Sequence, residues 1–247
     1  MPEGPSIVIL REMVQAQHLE GKKVLSAEGN TSVAVSGLVG QKVTGFKSWG
    51  KHFLICLEDV TIRIHLLMFG TYRINERKES PVRLRLTFKN KELNFYTCSV
   101  VILEGKAEAH YDWAGDIMSD KWDAKAAAQK LKLMPDTLVC DALLDQDIFA
   151  GVGNIIKNEV LYRVGIDPHN TVGNLPAAKL KLMIKEAQQY SFDFLKWKRE
   201  NTLKSHWLIH TKKKCPKDHT VKKEYPGKTK RRSFYCTQCQ KMYVKKP

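Results

Sequence analysis

Apolar positions along this chain follow two different periods. Near the start, Ile7, Leu10 and Val14 recur at helical spacing behind Gly4-Pro5-Ser6, with Gly21 past the end. Proline in a first turn and glycine beyond the last predict one amphipathic helix there. From Lys23 to about Leu103 the period changes to two. Thr61–Leu67 sets Ile62, Ile64 and Leu66 against Thr61, Arg63 and His65, and Arg83–Phe88 sets Leu84, Leu86 and Phe88 against Arg83, Arg85 and Thr87. Lys89-Asn90-Lys91-Glu92 reads as a turn before a further strand over Leu93–Thr97. Short alternating strands between turn signals predict an antiparallel sandwich or barrel.

Past about Asp116 the alternation stops. Ser119–Leu133, rich in Ala, Lys and Gln and halted before Pro135, reads as a helix. Val139–Phe149 and Asn154–Val164 read as two more, separated by Ala150-Gly151-Val152-Gly153. Leu180, Met183, Ile184, Ala187, Phe194 and Trp197 share one face of a long helix starting near Asn174-Leu175-Pro176. The last signal is a hairpin, Thr220–Glu224 and Arg232–Tyr235 around Pro226-Gly227. The expected fold is therefore α+β and multidomain: an N-terminal antiparallel β-sandwich with a flanking N-terminal helix, then a helical domain, then a β-hairpin. The boundary between the β-rich and helical halves is expected near 110–120, with no internal repeat and no low-complexity linker.

Composition changes this picture little, and charge changes it a good deal. A chain of 247 residues, 43% hydrophobic and 27% charged, can bury two ordinary cores. No stretch approaches the roughly 18–20 apolar residues of a membrane helix. The start, Met1-Pro2-Glu3-Gly4-Pro5, lacks the basic and apolar regions of a secretory signal. The expectation is a reducing location, cytoplasmic or wherever the cell's DNA lies, without membrane partners and without disulfides. The net charge is +15, and residues 196–247 hold 17 Lys/Arg against 3 Asp/Glu while the rest is nearly balanced. Such a field attracts polyanions, because neutralised phosphates release their counterions.

Cysteines give that basic end a shape. Cys56, Cys98 and Cys140 sit among apolar neighbours and read as buried small hydrophobes. Cys215 and His219, then Cys236 and Cys239 after sixteen residues, form two knuckle-like pairs around the hairpin. Thiolate and imidazole in a closed set of four suit one structural zinc ion, Zn2+, whose binding would supply the folding energy of so basic a segment.

Two further constellations carry chemistry. Gly151-Val152-Gly153-Asn154 lies between helices, where bare backbone and a helix start can hold anionic oxygen; as a motif alone it serves equally well as a chain reversal. With Met1 removed, Pro2 would present a free secondary amine, whose reference pKa of about 8 leaves part of it neutral near pH 7. Such an amine attacks an aldehyde-like carbon to give an iminium, with Glu3 placed to move a proton. A solvated Met-Pro start explains the same residues.

Taken together, Pro2-Glu3-Gly4-Pro5, Gly50-Lys51-His52, His65-Leu66-Leu67-Met68-Phe69-Gly70, Leu143-Leu144-Asp145-Gln146, Gly151-Val152-Gly153-Asn154-Ile155 with Glu159-Val160-Leu161, and Arg231 with Phe234–Gln240 resemble the formamidopyrimidine-DNA glycosylase / endonuclease VIII family, in order and over nearly the whole chain. The resemblance implies a catalytic β-sandwich over 1–115, a helix–two-turn–helix domain over 116–205 and a zinc finger over 206–247. It implies a bifunctional DNA glycosylase/AP lyase of base excision repair, acting as a monomer on damaged DNA. Pro2 would be the nucleophile, Glu3 the acid that opens the sugar ring, and Lys51 a phosphate contact that assists catalysis. Asn154 and Arg231 would grip phosphates flanking the flipped nucleotide. Met68, with Leu67 and Phe69 beside it, would be the wedge; three strand-end core residues are the other reading of those positions.

The departures from the family point in one direction. Ser6 stands where many members carry a glutamate, a role left vacant or moved to Glu159. Tyr96-Thr97-Cys98-Ser99 lacks the arginine that pairs with an orphaned base, and little chain separates the long helix from Cys215 for a loop over an oxidised purine. Both favour the endonuclease VIII branch and oxidised pyrimidines. The Cys-x-x-x-His pair replaces the usual two cysteines, as in some vertebrate Nei-like proteins. Two other functions use parts of the same sequence. A non-catalytic zinc-dependent protein recognising damaged or kinked DNA would keep Met1; an RNA-binding zinc ribbon leaves the Pro-Glu start and the β-rich half unused.

Overall fold

A computed structural model describes residues 2–244; Met1, whose removal would free the prolyl amine, lies outside them. The chain divides between Asp112 and Trp113 into two compact units. In the first, α1 (Gly4–Gln15) starts with Pro5 in its opening turn and buries Ile7, Leu10 and Val14, the stripe expected from spacing. Eight strands follow: β1 (Ser26–Glu28), β2 (Val43–Trp49), β3 (His52–Leu57), β4 (Val60–His65), β5 (Thr71–Ile74), β6 (Leu84–Phe88), β7 (Lys91–Tyr96) and β8 (Ser99–Glu104). They form two antiparallel four-stranded sheets, ordered β1-β6-β7-β5 and β2-β3-β4-β8. Ile62, Ile64, Leu84, Leu86 and Phe88 point into one shared core with the α1 stripe. This is the sandwich that period two requires, since alternate side chains of each strand meet the other sheet.

The second unit contains α2 (Ala124–Lys132), α3 (Val139–Ala142), α4 (Asn154–Arg163), α5 (Ala177–Arg199) and the hairpin β9 (Lys222–Glu224) and β10 (Ser233–Tyr235). Two helices are shorter than periodicity suggests. α2 starts at Ala124 because the Asp123 carboxylate caps it, accepting the amides of Lys125 at 2.7 Å and Ala126 at 3.1 Å. The helix expected over Val139–Phe149 stops at Ala142. Beyond it the Gln146 side-chain amide donates to the Leu144 and Val152 carbonyls, and its oxygen accepts the Gly151 amide. That clamp shapes the turn into Gly151-Val152-Gly153 and competes with helical bonding. Met183, Ile184, Ala187 and Phe194 of α5 close the helical core against α4. Among the described residues, no helix is long and apolar enough to cross a membrane. Cys56, Cys98 and Cys140 are all buried; burial raises their thiol pKa values, to about 11 for the latter two.

Candidate active site and metal centre

In the first unit, several sequence motifs converge on one end of the β2-β3-β4-β8 sheet. Trp49 pairs with His52, so Gly50-Lys51 is a two-residue hairpin turn, with Gly50 at φ +53°. His52 pairs with His65, and His65 with Ser99. The Lys51 turn, the loop after β4 and the two-residue link Thr97-Cys98 therefore leave the sheet side by side. The direction of α1 follows from its contacts with β2. Gln15 reaches the Phe46 carbonyl at 3.5 Å and Arg11 the Ser48 hydroxyl at 3.2 Å. Moving back along the helix thus means moving toward Lys51, and Pro2-Glu3 lies at that same end.

Each piece is held locally. Glu3 is 1% exposed, and its carbonyl accepts the Ser6 and Ile7 amides, which fixes the residue at the head of α1. The loop Leu66–Gly70 closes on a 2.7 Å bond from the Gly70 amide to the Leu66 carbonyl. A Cβ on Gly70 would meet that carbonyl, so a side chain there would break the turn. Leu67, in the left-handed region at φ 52°, Met68 and Phe69 are 46%, 51% and 78% exposed. They are not strand-end core; an exposed apolar triplet on a closed loop is a surface made for contact.

From sequence, His52 and His65 are only letters within motifs, and the structure gives them a setting. Their rings lie 5.3 Å apart, and His52 also borders Trp49 and Tyr111. Burial, then His65, Arg63 and Lys51, push the His52 pKa down to about 3; burial, Lys51 and Arg63 lower that of His65. Both shifts favour neutral rings at pH 7.

In the second unit, α4 carries three charged or polar side chains in a fully buried stretch. Asn154 opens the helix directly after Gly153. Lys157 is fully buried and donates to the Arg232 carbonyl at 3.1 Å and the Ser233 hydroxyl at 2.8 Å. Asn158 accepts the Phe234 amide and donates to the Arg232 carbonyl and to His210 Nδ1. Arg231 sits beside these anchors, half-buried, on the loop between β9 and β10.

Glu159 cannot take over the role vacant at Ser6. It is fully buried, and its carboxylate accepts the amides of Leu208, Ile209 and His210, with Arg163 at 3.7 Å. It ties α4 to the chain entering the hairpin, a structural duty that periodicity could not reveal. Glu159→Gln loses the carboxylate charge and turns an amide NH2 toward the Leu208 amide and Arg163, and it should cost about 2 kcal/mol. Thermal unfolding checks this; an unchanged midpoint with lost activity would restore a role in proton transfer.

His210 is buried, and burial, then Lys157 and Arg232, lower its pKa from 6.5 to about 4. The unfolded chain takes the proton first as pH falls. The neutral ring's stabilisation is therefore complete above pH 6.5 and is lost between 6.5 and about 4. From pH 7 to 5 the wild type should lose about 2 kcal/mol more than His210→Gln, read from urea unfolding. Equal losses would refute this.

The four ligand atoms of Cys215, His219, Cys236 and Cys239 lie within 4.8 Å of one another. Cys215 and Cys239 sulfurs are 3.9 Å apart, and His219 Nδ1 is 3.3 Å from Cys239 Sγ and 3.7 Å from Cys236 Sγ. A tetrahedron with metal–sulfur bonds of about 2.3 Å has sulfur–sulfur edges of about 3.8 Å. The residues therefore fit one tetrahedral metal ion, with Nδ1 as the imidazole ligand. Burial raises the Cys215 pKa, but the Lys217 and His219 amides and the Tyr162 hydroxyl outweigh it and bring the thiol down to about 6.

Comparison with known proteins agrees with this geometry. Residues 1–98 match the formamidopyrimidine-DNA glycosylase N-terminal domain, and residues 114–192 its H2TH domain. The chain is 32% identical to endonuclease 8-like 2 of Bos taurus over 195 residues, 72% of this chain and 58% of that protein. It is 30% identical to the DNA-(apurinic or apyrimidinic site) lyase Nei2 of Mycolicibacterium smegmatis over 208 residues, 82% of each. It spans about half the length of the endonuclease 8-like relatives it matches. Formamidopyrimidine-DNA glycosylase of Lactococcus lactis, solved bound to DNA containing an abasic site, shares the fold at TM-score 0.84 and 20% identity, over 96% of this chain and 99% of that one. The chain belongs to the formamidopyrimidine-DNA glycosylase / endonuclease VIII family, on its endonuclease VIII-like branch.

Proposed function

We propose that this protein is a bifunctional DNA glycosylase and AP lyase of base excision repair, working as a monomer on chromosomal DNA and favouring oxidised pyrimidines. The observation that carries the reading is the convergence of Pro2-Glu3, the Lys51 turn and the Leu67–Phe69 loop on one end of the sandwich. A sugar carbon inside a duplex is out of reach, so the damaged nucleotide leaves the stack. Met68, flanked by Leu67 and Phe69, fills the gap as an apolar wedge. The Pro2 nitrogen lone pair bonds to C1′ as the C1′–base bond breaks; the base departs with the electron pair of that broken bond and takes up the proton that the prolyl nitrogen sheds. Glu3 protonates the ring oxygen, which opens the sugar and leaves an iminium on Pro2. Loss of a C2′ proton then sends electrons into the iminium, expelling the 3′ phosphate and, in a second elimination, the 5′ phosphate. Lys51 meets a phosphate beside the lesion; Asn154 and Arg231 hold phosphates on either side.

Zinc is the ion proposed for the four-ligand centre, because three thiolates and one imidazole in a closed tetrahedron match its preference. Bound there, it supplies folding energy and no chemistry. Thr97-Cys98, only two residues between β7 and β8, supports the preference for pyrimidine lesions by offering no arginine to an orphaned base.

The test is borohydride reduction with oligonucleotides carrying an abasic site, an oxidised pyrimidine or 8-oxoguanine. A covalent adduct, strongest with the first two, is expected. A chain beginning at Pro2 that yields none would overturn the enzymatic reading in favour of a non-catalytic DNA-binding protein.

A further inference from the structure

The loop that carries Arg231 is not fixed by the metal alone. The four ligands gather the base of the hairpin, at Cys215-His219 and Cys236-Cys239, whereas Arg231 lies on the far loop between β9 and β10. That loop docks on α3. The Asp141 carboxylate, 9% exposed, accepts the Lys228 amide at 2.7 Å, the Thr229 amide at 3.2 Å and the Thr229 hydroxyl at 2.6 Å. Gly227 comes so close that a Cβ there would overlap the carboxylate, and its φ of +74° is one that glycine takes without strain. Lys230 follows in the left-handed region at φ 48°, and immediately beyond Arg231 the Arg232 carbonyl is taken by Lys157 and Asn158 of α4.

Arg231 is thus bracketed by two anchors three residues or fewer away, one on each side. Each is stronger than an ordinary loop contact. Asp141 receives charge-assisted bonds in a largely dry setting, and the fully buried Lys157 side-chain nitrogen is committed to the hairpin. Removing either leaves buried polar groups without their partners, so the loop has one low-energy seat.

We propose that Asp141 is a positioning residue for Arg231: it seats the hairpin loop on the helical domain so that the guanidinium is pre-set for a phosphate, an anchor additional to the metal's hold on the base of the hairpin. The inference rests on the reading of Arg231 as a phosphate grip given above. Asp141 touches no DNA in this proposal; it acts by removing the cost of ordering the loop at the moment of binding.

The experiment is a double-mutant cycle on the full chain, with a duplex carrying a tetrahydrofuran abasic analogue as probe. Affinity is measured across a salt series for wild type, Arg231→Ala, Asp141→Ala and the pair, with metal content measured on each. Arg231→Ala should weaken binding about tenfold and make the slope of log K against log salt shallower by about 0.9. Asp141→Ala should reproduce most of both effects with metal content unchanged. The pair should be no weaker than Arg231→Ala by more than about twofold, because contacts in one chain of dependence do not add. Thr229→Val, which removes a single hydroxyl, should move affinity and slope in the same direction, and it decides the matter if Asp141→Ala does not fold. Multiplying losses, or an unchanged salt slope in Asp141→Ala and Thr229→Val, would overturn the positioning role while leaving Arg231 as a grip. Unchanged binding by Arg231→Ala would overturn the grip and this inference together.

Discussion

With one glycine added ahead of Pro2, the protein should form no borohydride-stable adduct with abasic DNA and should lose strand cleavage by on the order of a thousandfold or more. The added residue converts the prolyl nitrogen to a tertiary amide, whose lone pair is delocalised into the carbonyl and cannot attack C1′. The added glycine brings its own α-amine, but one residue, about 3.5 Å, farther out than the nitrogen it replaces, so it is not held where Pro2 was. An α-amine with a reference pKa of about 8 is roughly one-tenth neutral at pH 7, whereas lysine at about 10.4 is neutral in only a few molecules per ten thousand. Lys51 is the lysine of the cluster, and an arginine such as Arg63 is no nucleophile because it keeps its proton. Binding should survive within a few-fold, since Asn154, Arg231 and the exposed loop Leu67–Phe69 are untouched. The pair of measurements separates chemistry from recognition. Unaltered cleavage by the extended chain would remove Pro2 from the mechanism.

Stripping the metal should have the second largest effect. The hairpin's own core consists of Ile209, Cys215, Phe234 and Cys236, with Tyr162, Val221 and Cys239 packed around it. Three of those seven are metal ligands, so little apolar burial is left once the ion goes. Ordering each residue costs about 1.5 kcal/mol, and structural zinc in small fingers contributes on the order of 10 kcal/mol or more. The bonds from Lys157, Asn158 and Asp141 contribute far less in net terms, about 1–2 kcal/mol each. Chelation, or Cys239→Ser, should therefore release the hairpin and weaken damaged-DNA binding by on the order of a hundredfold. The sandwich has a separate core and should stay folded, visible as a retained high-temperature transition. Full affinity in the metal-free protein would show that the hairpin stands without its ion.

The α1 stripe and the period-two strands were legible in the sequence because each buries one face against one core. The gathering of Cys215, His219, Cys236 and Cys239 into a set that could hold a metal was legible too, since spacing brings two pairs together. What sequence could not show were side chains that act across elements. Lys157, within the helix expected over Asn154–Val164, is fully buried. Asp141, within the helix expected over Val139–Phe149, holds a loop far along the chain. Gln146 cut short an expected helix by bonding backbone on both sides of a turn. Glu159, a candidate for a proton-handling role, is spent on three backbone amides. In each case the residue type fitted its local pattern, and a long-range partner decided its use.

His219 has a consequence for the electrostatics of the hairpin. A divalent ion among four thiolates keeps two negative charges; among three thiolates and a neutral imidazole it keeps one. With a divalent ion bound, that single negative charge would sit in a segment dense with Lys212, Lys213, Lys214, Lys217, Lys222 and Lys223. Exchanging one sulfur for one nitrogen thus makes the centre itself less repellent to a phosphodiester chain, before any lysine is counted.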